Sequence, residues 1–220
     1  MQTVTDPQLH TLGNWTYRLR MPQAQPKSIL VLLHGWMGDE NSMGVLAHNL
    51  SPEIAILAPR GIFAVPQGGY SWRVIKPGTW GMASMEEFRP AADGLVTFLD
   101  EWAASTGLDG NQFDLMGFSQ GAAFLYSLSM LYPQRVRRLV ALSGFIPQGG
   151  TALLNTESFS GKPVFVSHGR QDDVIPVEQS RQAVAQLEQA GALVIYCESD
   201  AGHKVSKECL KEMEMFLGGF

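Results

Sequence analysis

Residues 115–126 read LMGFSQGAAFLY, and Ser119 stands between Gly117 and Gly121 with apolar sequence on both sides. Glycine and serine are poor choices inside a helix, so the interruption needs a reason. In a chain with 23 glycines a G-x-S-x-G pattern is compatible with an ordinary turn. It gains meaning where a strand precedes it and a helix follows. A serine on a sharp strand-to-helix turn needs small neighbours two residues away on either side. The reading of Ser119 therefore depends on its surroundings.

Short apolar runs recur along the chain: 28–33 (SILVLL), 54–58 (IAILA), 112–117 (QFDLMG), 136–143 (VRRLVALS), 163–168 (PVFVSH) and 192–197 (ALVIYC). Several are apolar throughout, as expected of strands covered on both faces. Helical spacing lies between them. Ala91, Leu95, Phe98, Leu99 and Trp102 share one face, as do Ala123, Tyr126 and Met130, then Val184, Leu187 and Ala190, then Leu210, Met213 and Leu217. Ser84 and Glu87 have capping-box spacing, but Pro90 then falls inside the helix, so a kink or a start near Pro90 is expected. Alternating strands and helices predict an α/β protein with a mainly parallel central sheet, helices on both faces and no separate lid domain. Functional groups in such a fold gather beyond the carboxyl ends of the strands. A strand ending near Met116 and a helix starting at Gln120 meet the condition set by Ser119.

Composition narrows the function. The chain has 220 residues, a length suited to one α/β domain over 1–220, with no linker or repeat. Its net charge of −5 and lack of a basic cluster argue against nucleic acid as a partner. The N-terminal MQTVTDPQLHT does not resemble a signal peptide, and no apolar run approaches the ~18 residues of a membrane span. A cytoplasmic protein without membrane insertion is expected. Cys197 and Cys209 sit in apolar settings and read as buried free thiols. The stretches 60–83 and 144–160 are long and rich in Gly, Pro and aromatic residues. They read as pocket walls, because exposing Phe63, Tyr70, Trp72 and Trp80 together would be costly.

A serine hydroxyl needs a base, and the base an orienting carboxylate. Only His168 and His203 follow Ser119. His168 ends a strand pattern and reads as structural. His203, in DAGHKVS, lies on a loop after the last strand and is the better base. The carboxylate should come from the loop after VSH, where Asp172 and Asp173 both qualify by position. Asp200 lies too close to His203 in sequence to face its ring well. An oxyanion hole needs two backbone N–H groups. One is assigned to Gln120, after the nucleophile, and the other to Trp36 in HGWMGDEN. No H-E-x-x-H or P-loop pattern occurs, and no metal or organic cofactor is expected.

LLHGWMGDE, APRG, GFSQGAA, HGRQDDVIP and AGHKVS follow one another in this order. In these motifs, nearly the whole chain resembles the carboxylesterase/phospholipase family of α/β-hydrolases, which includes small bacterial carboxylesterases and acyl-protein thioesterases. The resemblance implies Ser119 as nucleophile, His203 as base, Asp172 as the acid and Trp36 as the second oxyanion donor. It implies hydrolysis of a small-molecule ester with a short to medium acyl chain, through an acyl-enzyme. Thioesterase or lysophospholipase activity is the nearest alternative, and a non-catalytic binding protein on the same scaffold is a more distant one. The chain departs from the family in two loops. Where thioesterases carry W-F-D it reads Trp72-Arg73-Val74, and it has an extra residue between His34-Gly35 and Gly38-Asp39. Trp72 is expected to form a wall of the acyl groove. The oligomeric state is not legible.

Overall fold

The computed structural model describes residues 7–75 and 83–218. Each apolar run forms a strand: β3 (Ser28–Leu33), β4 (Ile54–Pro59), β7 (Phe113–Phe118), β8 (Val136–Leu142), β9 (Pro163–Gly169) and β10 (Leu193–Ser199). They are joined by an N-terminal hairpin, β1 (Gln8–Leu12) and β2 (Trp15–Arg20), in one eight-stranded sheet of order β1-β2-β4-β3-β7-β8-β9-β10. The pairs from β4 to β10 are parallel, and the hairpin adds the antiparallel edge. A two-stranded ribbon, β5 (Phe63–Ala64) with β6 (Tyr70–Ser71), lies apart from the main sheet.

The period of two along a strand explains the layers. On β3, Val31 and Leu33 enter one apolar core while Leu30 and Leu32 enter another. The first core is completed by α2 (Met85–Thr106), α3 (Gln120–Leu131) and α5 (Val177–Gln189). The second is completed by α1 (Gly44–Ala47) and α6 (Lys207–Gly218). A short helix, α4 (Thr156–Phe159), lies in the connection before β9. Helices thus cover both faces, as the continuous apolar runs require. β10 is the exception at the sheet edge, where Leu193 and Ile195 stay exposed.

Two expectations are corrected. Helix α2 starts at Met85 and not near Pro90, because the Ser84 N–H donates to Glu87 Oε2 at 2.8 Å and closes the N-terminal turn. Met85 and Phe88 are buried, so packing also holds the turn before Pro90. The cysteines are buried, but they are not free thiols. Cys197 on β10 and Cys209 on α6 form a disulfide, with Cα atoms 5.6 Å apart. The loop between them folds α6 back against the end of its own strand, a juxtaposition that local apolarity does not reveal.

Candidate active site

The strand-to-helix turn after β7 is the sharp one that the glycines imply. Ser119 adopts φ 55° and ψ −118°, a conformation costly for a residue with a side chain. A Cβ on Gly117 would lie 2.3 Å from the Gly121 carbonyl oxygen, and one on Gly121 would lie 2.0 Å from that of Leu33. Neither position can hold a larger residue without moving the backbone. The strain thus has a structural counterpart in the packing of β7, α3 and β3.

Ser119 Oγ lies 2.9 Å from His203 Nε2, and His203 Nδ1 lies 2.7 Å from Asp172 Oδ2. The three groups come from three loops beyond the carboxyl ends of β7, β10 and β9. The other oxygen of Asp172, Oδ1, accepts the N–H groups of Val174 and Ile175, each at 2.9 Å. Burial raises the Asp172 carboxyl and is the largest single influence. The Ile175 N–H, the His203 ring and the Val174 N–H together outweigh it and hold the group below its ordinary range. The carboxylate is therefore ionised at neutral pH and accepts from Nδ1–H, which leaves Nε2 to accept the Ser119 hydrogen. Asp173, the other candidate, is exposed.

His168 is structural, as expected, but it also touches this carboxylate. Its Nε2–H donates to the Ile175 carbonyl at 2.8 Å and lies 3.3 Å from Asp172 Oδ2. The disulfide encloses the loop that carries His203, and the His203 ring rests 5.0 Å from that of Phe118.

Ser119 and Gln120 open on a small cleft of about 70 Å³, walled by Trp36, Phe145, Val174 and Ile175. Arg73 and Ile75 come into it from the stretch after β6. A larger cavity of about 590 Å³ lies at the amino ends of β3 and β8, the opposite end of the sheet from Ser119. Gln120 opens α3, a position whose N–H a helix leaves without an intrahelical acceptor. Trp36 lies in the loop after β3, which is clamped by His34. The Gly61 N–H donates to His34 Nε2 at 2.8 Å, so the ring hydrogen is on Nδ1 and is donated to the Gly35 carbonyl at 2.7 Å. Burial, the largest influence, lowers the His34 pKa and keeps the ring neutral.

Trp72 is corrected. It is fully buried and lines no groove: its indole stacks on Phe124 at 4.7 Å and donates to the His34 carbonyl at 2.8 Å. Its backbone N–H and the Ser71 hydroxyl both reach Gln120 Oε1, at 2.9 and 3.0 Å. Trp72 therefore joins the loop bearing Trp36 to the residue after Ser119. Aromatic content alone could not separate this inward role from a groove wall. Of the other aromatic residues named for that wall, Phe63 and Tyr70 are half-buried, and Trp80 lies outside the described residues.

An eight-stranded, mainly parallel sheet with a strained serine at the end of a central strand defines an α/β-hydrolase. The model of the phospholipase/carboxylesterase family matches residues 16–219, and the chain belongs to that family of serine hydrolases. It is similar to the hydrolase MhqD of Bacillus subtilis, 26% identical over 82% of this chain and 87% of that one. It is also similar to acyl-protein thioesterase 1 of Kluyveromyces lactis, 29% identical over 89% of this chain and 93% of that one. Among solved structures it is similar to the Bacillus cereus carboxylesterase, with a TM-score of 0.81 and 25% identity over 92% of this chain and 93% of that one.

Proposed function

We propose that the protein hydrolyses carboxylic esters of short acyl chains through an acyl-enzyme on Ser119. The continuous line Ser119 Oγ–His203 Nε2 at 2.9 Å and His203 Nδ1–Asp172 Oδ2 at 2.7 Å carries this reading. His203 takes the Ser119 proton as Oγ attacks the ester carbonyl. The N–H groups of Trp36 and Gln120 receive the oxyanion. The imidazolium, steadied by ionised Asp172, protonates the leaving alcohol, and water activated by the same ring then releases the acid.

The short chain limit follows from the cleft. Its volume of about 70 Å³ is far below the ~300–1,000 Å³ of pockets for drug-sized ligands. Thioester hydrolysis is the second reading, favoured by the likeness to an acyl-protein thioesterase over 89% of this chain. A single sheet that draws strands from Gln8 to Ser199 supports a one-domain organisation. Among the described residues no helix is long and apolar enough to cross a membrane. The disulfide removes the free-thiol argument for a cytoplasmic setting.

The test is a panel of p-nitrophenyl esters from acetate to decanoate, with acyl-CoA and lysophosphatidylcholine. Turnover highest on the shortest esters is expected. Turnover confined to long acyl chains or to thioesters would replace this reading.

A further inference from the structure

The cleft beside Ser119 combines apolar walls with one cation. Arg73 lines it, and among its described lining residues Arg73 alone carries a formal charge. The guanidinium is almost completely buried, with 1% of the side chain exposed, and its Nη1 donates to Glu87 Oε1 at 3.1 Å. In a chain of net charge −5, bulk charge does not explain a cation there.

Holding the loop does not explain it either. The backbone around Arg73 is already fixed. Ser71 Oγ–H donates to the Arg73 carbonyl at 2.6 Å, and Trp72 N–H donates to Gln120 Oε1. A buried ion pair is also a weak stabiliser, since well-packed apolar residues of similar volume do as well or better. Glu87 has its own task, accepting the Ser84 N–H at the start of α2. What apolar residues could not supply is a rigid, planar, permanently charged donor fork, the geometry that recognises carboxylates. That fork is fixed through Ser71 and Gln120 to the residue that follows the nucleophile.

We propose that Arg73 is a specificity-determining residue that selects esters carrying a second, ionised carboxylate a few bonds from the scissile carbonyl. The assignment rests on the Ser119 esterase reading. It gives the substrate a small apolar body, to suit Trp36, Phe145 and Val174, and an anionic end at Arg73.

The test compares isosteric pairs by pH-stat: monomethyl glutarate against methyl valerate for the acyl side, and acetylglycolate against propyl acetate for the alcohol side. In the unaltered protein, kcat/KM for the anionic ester should exceed that for its neutral partner about tenfold or more in at least one pair, the scale of one hydrogen bond to a charged group. Equal values, or a preference for the neutral ester in both pairs, overturn the proposal without touching the esterase reading. No turnover of any ester, with no fluorophosphonate labelling of Ser119, overturns both.

Two variants then act in opposite directions. Arg73→Met should lower the anionic-to-neutral ratio about tenfold, and Arg73→Lys should restore part of it. Glu87→Gln, which keeps a helix-capping acceptor but removes the competing charge, should raise the ratio. Arg73→Met and Glu87→Gln lowering both esters of each pair by one common factor would make the ion pair structural and overturn the proposal.

Discussion

Asp172 and Asp173 are consecutive, yet the first is buried against His203 while the second faces solvent. The turn after β9 separates them, because Asp172 Oδ1 accepts the N–H groups of Val174 and Ile175 and pulls that side chain inward. Asp172→Asn should lower kcat by about 10⁴, the scale of losing the carboxylate that fixes the base's tautomer. Asp173→Asn should stay within about threefold of the unaltered enzyme, as surface changes usually do. Steady-state kinetics of the two purified variants check this. A crippled Asp173→Asn beside a nearly normal Asp172→Asn would reverse the assignment.

The buried His34 gives stability a pH dependence of known sign. Its folded pKa lies below the ordinary value of about 6.5 because burial favours the neutral ring. As pH falls below about 6.5 the unfolded chain takes up a proton that the folded ring refuses, so stability drops by up to ~1.4 kcal/mol per pH unit until the folded ring also titrates. Urea unfolding at pH 7.5, 6 and 5 should show a steeper loss for the native sequence than for His34→Gln. Parallel curves would mean that His34 titrates alike in both states.

Trp72→Ala should act on folding and not on chain-length preference. The indole fills the interior between Phe124 and His34, and removing a buried Trp costs about 3–5 kcal/mol. Unfolding midpoints should fall, and kcat/KM for acetate, butyrate and octanoate esters should fall by one common factor. A changed ratio among these esters would restore Trp72 to the groove.

Reduction of Cys197–Cys209 should destabilise the protein by about 2–4 kcal/mol and loosen the loop that presents His203. The bond closes a span of 12 residues around that base. Urea unfolding with and without dithiothreitol, with thiol titration to verify reduction, reads the effect. Coincident curves for the oxidised and reduced protein would show that the bond contributes nothing.

The buried strands were legible because six apolar runs have no face to give to water. The β1–β2 hairpin was not, since an edge ribbon such as QLHTL is almost wholly exposed and lacks a continuous apolar signal. At the site, chain order and loop position singled out Ser119 and His203, and the geometry joins them to Asp172. Local sequence could not tell Asp172 from Asp173, because the choice depends on two backbone N–H groups that exist only once the turn has folded. The disulfide, the Gln120 side chain as an anchor for Ser71 and Trp72, and the entry of Arg73 into the cleft all depend on long-range contacts. None leaves a local pattern. The W-R-V departure in the loop was the one visible sign that the cleft had changed.

The most direct test of Ser119 as the nucleophile is fluorophosphonate labelling read by peptide mass spectrometry, on the native sequence and on Ser119→Ala. One adduct on the peptide containing Ser119 is predicted. In folded Ser119→Ala both the adduct and ester turnover should vanish, with a loss in kcat of about 10⁶. An adduct on another residue, or a folded Ser119→Ala variant with a tenth or more of native turnover, would contradict the account.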